Sequence, residues 1–387
     1  MNERVVKVLH IIPGFGGGIS SHVRNIINGI DKSKAVIDVA GFTPYPDEFI
    51  NEVRAKGGIT ITLDNVRLKR VLTCISQYKR ILKEGNYNAV HVHMSATQAF
   101  YFCLFAALFG IERRIVHAHI ADAPNSHNKF FTVKQHIDQF LTVCMATDLA
   151  SCSKISSIFR YGKKRLDRVM HIPNSINAGQ YFQEISLESK EALKNRLGIS
   201  RGKIVIGHVG FFGYQKNHPF MFKIAQRLKE RNVNFVWLFI GTGYNFEEYS
   251  KMVQDMELSD CVKLLGRRSD VCDLYKIMDV SVLASFFEGL PTVTIETQAA
   301  GTPTVISDTI SDETDMGLGM IRRLPLDAPI DKWCDIIIEL SSIESPSMER
   351  RKKNIENRAF TTETAAKLYA RFLNKEILSY QLGDLVE

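Results

Sequence analysis

The sequence predicts an α/β protein of two Rossmann-like, doubly wound domains facing a cleft. Its 387 residues exceed the size at which one hydrophobic core usually stops growing. Short apolar runs closed by turn residues alternate with longer helical patterns, the signature of strand-helix-strand units and parallel sheets. That alternation runs its course once and restarts near residue 203, so each half is expected to own a sheet.

The first series opens with the strand VVKVLHII (5–12), the glycine loop PGFGGG and the helix SSHVRNIINGI, for which Ser20 or Ser21 is the expected N-cap. Strands follow at AVIDVAGF (35–42), ITIT (59–62), AVHVH (89–93), RIVHAH (114–119), DLASCS (148–153) and RVMHIPN (168–174). The uncharged stretch 99–111 falls short of the roughly 20 residues that span a bilayer and reads as a buried helix. The helix LESKEALKNRLGI and the glycine turn after it read as an interdomain linker.

The second series has strands at KIVIGHVG (203–210), FVWLFIG (235–241), CVKLLG (261–266), VSVLAS (280–285) and TPTVIS (302–307), with helices starting near Pro219 and Pro291. The charged helical stretch after residue 345 has no strand partner left. The expected boundaries are therefore 1–186 for the first domain, 187–202 for the linker and 203–360 for the second domain. A final helix in 361–387 is expected to cross back to the first domain.

Composition is that of a soluble globular protein, with 45% hydrophobic and 24% charged residues. The N-terminal residues turn to glycine before a signal-peptide apolar core is complete, and the seven cysteines show no CxxC spacing. A reducing cytoplasm is the expected location. Residues 1–186 carry 23 Lys+Arg against 14 Asp+Glu, and the remainder 26 against 28, so the basic surface lies in the first half. It includes Arg67, Lys69, Arg70, Lys79, Arg80 and Lys83, then Lys163, Lys164, Arg165 and Arg168. Solvated surface and contact with an anionic membrane face are both open readings. No aromatic-rich basic stripe points to nucleic acid.

Doubly wound domains bind ligands at the carboxyl ends of their strands. Three loops there carry chemistry. In Gly14-Phe15-Gly16-Gly17-Gly18, glycines between strand and helix let the backbone approach a phosphate or a sugar. Ile19 breaks the GxGxxG pattern, which disfavours a nicotinamide site. In Gly210-Phe211-Phe212-Gly213-Tyr214-Gln215-Lys216-Asn217-His218, a lysine beside a helix N-terminus can neutralise a diphosphate, and Asn217 or His218 is the expected cap.

In the third loop, 285–296, Pro291 suits a first helical turn. Glu288 and Gly289 then face the cleft, with Glu296 in the early turns of the helix. Two acids around a helix start either accept ligand hydroxyls or simply cap the helix. The pairs His91/His93 and His117/His119 each lie on one face of a strand. Metal ligation by these four is one reading. Satisfaction by backbone and water is the other, since no acid or cysteine completes a set.

The chain as a whole resembles the retaining family-4 glycosyltransferases of GT-B fold, in particular the bacterial branch that builds capsular, exopolysaccharide and O-antigen units. The resemblance runs through HIIPGFGGGISSHVRNI, RIVHAH, VMHIPNSIN, GHVGFFGYQKNH and LLGRRSDVCDLYKIMDVSVLASFFEGLPTVTIETQAAGTPTVISD. It implies that Glu288 meets the donor sugar and Glu296 the ribose. Gly289, Leu290 and the neighbourhood of Pro291 would approach the diphosphate, which Lys216 would stabilise as it leaves. Gly210 and Asn217 complete the donor loop, His119 lies near the sugar, and Gly16 and Gly17 belong beside donor phosphates and acceptor. One departure is Phe211, where the family usually has arginine; Arg267 or Arg268 is the candidate substitute.

The activity implied is metal-independent transfer of a hexosyl or N-acetylhexosaminyl group with retention. The donor is a nucleoside diphosphate sugar, a UDP-sugar favoured, with no resident cofactor. The acceptor is a glycan or a polyprenyl-diphosphate-linked glycan, placing the protein in surface polysaccharide biosynthesis, cytoplasmic or at the inner membrane face. A sugar-nucleotide epimerase and a degenerate donor-binding homologue are the alternatives.

Overall fold

The computed structural model describes residues 5–64, 71–94, 96–120 and 129–377. The chain forms two compact units, unit 1 from Met1–Ile176 with Ala359–Glu387 and unit 2 from Asn177–Arg358.

Unit 1 is built on a seven-stranded, all-parallel sheet. Its strands are β1 (Val6–Ile11), β2 (Ala35–Gly41), β3 (Thr60–Thr62), β4 (Ala89–Val92), β5 (Arg113–Ala118), β6 (Asp148–Ser151) and β7 (Val169–His171), in the spatial order β3-β2-β1-β4-β5-β6-β7. Helices cover both faces, which is why β4 is buried along its whole length rather than alternately. One of them, Ala96–Leu108, buries Ala99, Phe102, Cys103 and Ala106 and leaves Tyr101 and Leu108 exposed. Among the described residues no helix is long and apolar enough to cross a membrane.

The helix Thr362–Leu373 lies against the helix Gly18–Gly29 within unit 1. Its last carbonyls would be orphans at a helix C-terminus. Arg113 at the start of β5 takes them, donating to Phe372 O at 2.8 Å and Leu373 O at 2.6 Å while pairing with Asp148. A cation is the favoured partner at that end of a helix dipole. The same helix sends Tyr369 into the histidines at the ends of β1 and β4.

Unit 2 holds six parallel strands: β8 (Ile204–Val209), β9 (Phe235–Ile240), β10 (Val262–Leu264), β11 (Val280–Leu283), β12 (Thr304–Ser307) and β13 (Ile321–Leu324), in the order β10-β9-β8-β11-β12-β13. Every residue of β9, which lies between β10 and β8, is buried. Both tryptophans of the chain, Trp237 and Trp333, are fully buried here.

The unit boundaries fall at 176/177 and 358/359, where the sequence suggested 186 and 360. The stretch expected as a linker is instead part of unit 2. Its helix Leu187–Arg196 and the turn that follows bury Leu193 and Ile199 against Val205, Leu274 and Ile277. Strand β13 was not expected, because Arg322 and Arg323 interrupt its apolar pattern. It is an edge strand, where charged side chains are tolerated, and Arg323 reaches Ile310 O and Asp312.

Candidate active site

The strand order of each unit reverses at a switch point, between β1 and β4 in unit 1 and between β8 and β11 in unit 2. Open α/β sheets bind ligands at this crevice. The loops after β8 and β11 contain most of the residues expected from the sequence.

After β8 the chain turns through 210–213, a 3₁₀ turn Tyr214–Lys216 and Asn217 into the helix His218–Glu230. Phe212 is buried against His218, Phe246 and Tyr249, which pins the loop. Gly241, at φ +139°, lets the next loop cross beneath it. A Cβ there would stand 1.9 Å from Gly210 O, so any side chain would displace the loop. Asn217 occupies the N-cap position in the left-handed conformation (φ 55°, ψ 45°), but its side chain makes no cap bond. This corrects the expectation of a side-chain cap at Asn217 or His218.

After β11 the loop 284–290 leads to Pro291, which is the N-cap of the helix Thr292–Ala300 rather than its first helical residue. Proline has no side-chain acceptor, so no side-chain cap forms at this helix start. First-turn N–H groups without a side-chain partner are suited to an anion.

The two loops are tied together by side chains. Lys216 Nζ lies 2.7 Å from Glu288 Oε1, Ser285 Oγ donates to the same oxygen at 2.7 Å, and Gln215 Nε2 donates to Glu288 Oε2 at 3.0 Å. Gln215 also donates to Phe287 O at 2.9 Å and accepts from Phe286 N at 2.9 Å. The Glu288 carboxylate is thus held by charge and hydrogen bonds and is only 6% exposed. Gly289, Leu290 and Pro291 beside it are buried, and Gly210 sits against Lys216 Cε.

Glu296, in the second turn of its helix, accepts from Tyr275 Oη at 2.9 Å. Burial pushes its carboxyl above the usual glutamate value, with hydrogen bonds from Tyr275 and Thr292 acting the other way. Glu288 and Glu296 therefore differ in kind: one is paired with a cation, the other is held by neutral donors.

Phe211, where the resemblance expects arginine, is 49% exposed with its ring 5.1 Å from Tyr244. Of the candidate substitutes, Arg268 is engaged by both oxygens of Asp270, at 2.8 and 2.6 Å. Arg267 is exposed beside it.

In unit 1 the glycine loop follows β1. Gly16 and Gly17 have φ of +103° and +149°, a region that favours glycine, and open space lies where their side chains would be. The helix begins at Gly18 with Gly17 as N-cap, not at Ser20 or Ser21. Ser20 instead closes the loop, accepting from Gly16 N at 3.0 Å and donating to Gly17 O at 2.9 Å.

His119 stands just beyond β5, with Nε2 2.7 Å from His93 Nδ1. Burial and the neighbouring His22 hold it well below the usual imidazole pKa, so the ring is neutral near pH 7. Sequence reasoning found His91, His93, His117 and His119 but missed His10, His22 and Tyr369, which join them in space. The HxH alternation on β4 and β5 was legible. A lone histidine on β1, one on a helix and a tyrosine some 280 residues away were not.

Two all-parallel, doubly wound units with glycine-bearing loops and a Lys–Glu pair at the switch point define the GT-B class of glycosyltransferases. Residues 189–316 match the family of glycosyl transferases group 1. EpsF of Bacillus subtilis (strain 168), a protein named as a glycosyltransferase, is 30% identical over 359 residues, covering 92% of this chain and 93% of EpsF. The chain belongs to this glycosyltransferase family. The Escherichia coli UDP-Gal:alpha-D-GlcNAc-diphosphoundecaprenol alpha-1,3-galactosyltransferase is 28% identical over 272 residues, covering 68% of this chain and 69% of the enzyme. Among solved structures, Anabaena HepE in complex with UDP and glucose shares the fold, with a TM-score of 0.76 at 15% identity over 96% of this chain and 100% of HepE. Membership in a transferase family disfavours the epimerase reading.

Proposed function

We propose that the chain is a retaining, metal-independent transferase of a hexosyl or N-acetylhexosaminyl group. Its donor is a nucleoside diphosphate sugar, a UDP-sugar in first place. Its acceptor is a glycan or a polyprenyl-diphosphate-linked glycan, in the assembly of a capsular or extracellular polysaccharide. The observation that carries this reading is the Lys216–Glu288 pair at 2.7 Å between two helix starts without side-chain caps.

In this reading Lys216, Gly210, Asn217 and the amides around Gly289, Leu290 and Pro291 form the diphosphate floor. Positive groups aimed at the leaving oxygen stabilise charge where it develops. Glu288 keeps one acceptor position on Oε2 for a sugar hydroxyl, and Glu296 receives the ribose hydroxyls. In unit 1 we assign Gly16, Gly17 and the neutral ring of His119 to the reaction. The bond from anomeric carbon to phosphate oxygen breaks, and the acceptor oxygen bonds to the same face. The acceptor's proton passes to the departing phosphate. Lys216 and the helix starts supply the cationic stabilisation, so no step calls for a metal.

The relatives support the substrate classes. The E. coli relative is named for UDP-Gal and a diphosphoundecaprenol acceptor, and HepE was solved with UDP. An anionic membrane face suits such an acceptor, and Lys79, Arg80, Lys83, Lys163, Lys164 and Arg168 are exposed in unit 1. Arg67, Lys69 and Arg70 lie outside the described residues. Salt-sensitive binding to anionic vesicles tests this contact.

A thermal-shift screen of sugar nucleotides tests the donor assignment, since a ligand that binds only the folded chain raises its melting temperature. UDP-sugars should raise it in the wild type and fail to do so in Lys216→Ala. Equal shifts in both proteins would overturn the assignment.

A further inference from the structure

Two neighbouring helices of unit 1 carry apolar residues on the outside. The helix Lys129–Met145 places Val133, Ile137, Phe140 and Cys144 at intervals of four, three and four residues, the spacing of one helix face, and that face is exposed. Polar side chains turn inward instead: Gln139 donates to Phe159 O at 3.0 Å, and the buried Thr142 donates to Asp138 O at 2.8 Å. Packed beside it, the helix Ala96–Leu108 has no charged residue, and a helix apolar all round is normally buried all round. This one is covered on one side only, where Tyr78 Oη donates to Phe102 O at 3.2 Å, and it leaves Tyr101 and Leu108 open. Tyr101, Leu108, Val133, Ile137 and Phe140 are each more than half exposed. Single exposed apolar residues are ordinary, but five on two packed helices form a patch, and such patches mark contact surfaces.

We propose that this two-helix face docks on an anionic lipid bilayer, with Leu108, Ile137 and Phe140 entering the headgroup layer. Charge selects that occupant. Within the two helices the sole acid, Asp138, is paired with Lys134 at 3.1 Å. On one flank Lys79 Nζ stands 5.7 Å from the centre of the Phe109 ring, just past the end of Ala96–Leu108, and Arg80 and Lys83 are exposed on the same helix as Lys79. On the other flank Gln139 ties the face to the helix Lys154–Tyr161, after which Lys163, Lys164 and Arg168 are exposed. Between these flanking cations stand only the acids Glu84 and Asp167.

An apolar stripe between basic flanks is the pattern of a surface that lies in the membrane interface, where apolar side chains adhere and lysines attract anionic lipid. Neither helix is long and apolar enough to cross the bilayer, so the face lies on it. A second copy of the chain would set basic flank against basic flank, which opposes self-association through this surface. The inference rests on the membrane contact of the proposed function and deepens it by naming the face and its apolar part. It is independent of the donor site in unit 2.

Sedimentation of the full chain with vesicles of phosphatidylglycerol and phosphatidylcholine in equal parts tests the proposal. The wild type should bind at low salt and keep part of that binding at about 1 M salt, where the screening length is about 3 Å. Ile137→Ser/Phe140→Ser should weaken binding roughly tenfold or more and abolish what survives high salt. Lys163→Gln/Lys164→Gln should weaken it by roughly the same factor at low salt only. Melting temperature and its rise with UDP should be unchanged in both double variants, since these side chains are exposed and remote from the donor loops. Binding that vanishes at high salt and is equal in wild type and Ile137→Ser/Phe140→Ser overturns the apolar face while leaving an electrostatic contact. No binding by the wild type overturns the face and the membrane contact together, and leaves the donor assignment to its own thermal-shift test. A wild-type dimer that Ile137→Ser/Phe140→Ser dissolves with no loss of vesicle binding overturns the proposal in favour of a second copy. Should a double variant fail to fold, an environment-sensitive fluorophore on Cys144 in a Cys272→Ser background decides: a blue shift on adding vesicles supports the face, and an unchanged spectrum overturns it.

Discussion

Lys216 Nζ and Glu288 Oε1 stand 2.7 Å apart, and the two side chains reach each other from loops after neighbouring strands β8 and β11. Both are largely withdrawn from water, at 14% and 8% side-chain exposure. Such a pair gives little net stability, but removing one partner leaves an uncompensated charge. Its chief consequence is therefore geometric: each group holds the other in place before a donor arrives.

Lys216→Met should lower the stability of unit 2 by about 3 kcal/mol, and Glu288→Gln by less, because an amide still accepts from Ser285. The double variant should be more stable than the sum of the two losses implies, by more than about 1 kcal/mol. Urea unfolding followed by tryptophan fluorescence reads this, since both tryptophans lie in unit 2. Each single variant should also reduce kcat by about 100-fold or more. Additive stabilities would show that the pair is not coupled.

Glu296 pulls the other way. Its carboxyl is pushed up by burial, so folding favours the protonated form. The stability this group adds is whole below about pH 4.5 and is lost as pH rises through its folded value. Glu296→Gln keeps an acceptor for Tyr275 and removes the buried charge, so the melting temperature at pH 7.5 should rise by roughly 2 °C. Affinity for UDP should fall about tenfold in the same protein, as one ribose acceptor becomes an amide. A destabilised variant with unchanged UDP affinity would contradict both roles of Glu296.

Phe211 stands where a guanidinium would pair with the diphosphate, and Arg268 is held by Asp270. Phe211→Arg should tighten UDP binding and raise kcat severalfold, because the position is exposed at the donor loop and the change removes no core contact. Isothermal titration and initial rates measure the two effects. Tighter UDP binding without any transfer would favour a donor-binding homologue over an enzyme.

Much of this was legible in the sequence. Twelve of the thirteen strands among the described residues announce themselves, the inner ones because a parallel sheet covered on both faces reads as unbroken apolar runs, as in FVWLFI of β9. The thirteenth, IRRL, did not, because an edge strand can carry Arg322 and Arg323. The helix Leu187–Arg196 read as a linker because nine of its ten residues are not buried; only Leu193 anchors it. At the site, Glu288, Lys216 and Glu296 could be placed on loops and a helix. Their partners Gln215, Ser285 and Tyr275 could not, since hydrogen bonds between loops leave no local pattern. The histidine cluster was half legible for the same reason: alternation reveals His91 with His93, and only the fold adds His10 and His22.

His208 and His218 offer a pH test in unit 2. Burial lowers their pKa to about 3 and about 2, so both stay neutral in the fold and gain a proton on unfolding. Their contribution is whole above pH 6.5 and is lost as pH falls below it, at up to about 1.4 kcal/mol per pH unit for each ring. His218 lies among Phe212, Phe222, Phe239 and Tyr249, with neither nitrogen partnered among the described residues. His218→Phe should therefore resist acid better. Its advantage in unfolding free energy over the wild type, read from urea titrations, should widen by about 1 kcal/mol between pH 6.5 and 5.5, whereas a constant gap would mean His218 is not neutral in the fold.

The central claim is retaining transfer from a nucleoside diphosphate sugar. Its most direct test is proton NMR of the product formed from an α-linked UDP-sugar and a polyprenyl-diphosphate-linked acceptor. The expected spectrum shows the small anomeric coupling of a new α-gluco- or α-galacto-type linkage, appearing only when donor and acceptor are both present. A β linkage, or conversion of the donor to another sugar nucleotide without acceptor, would contradict it.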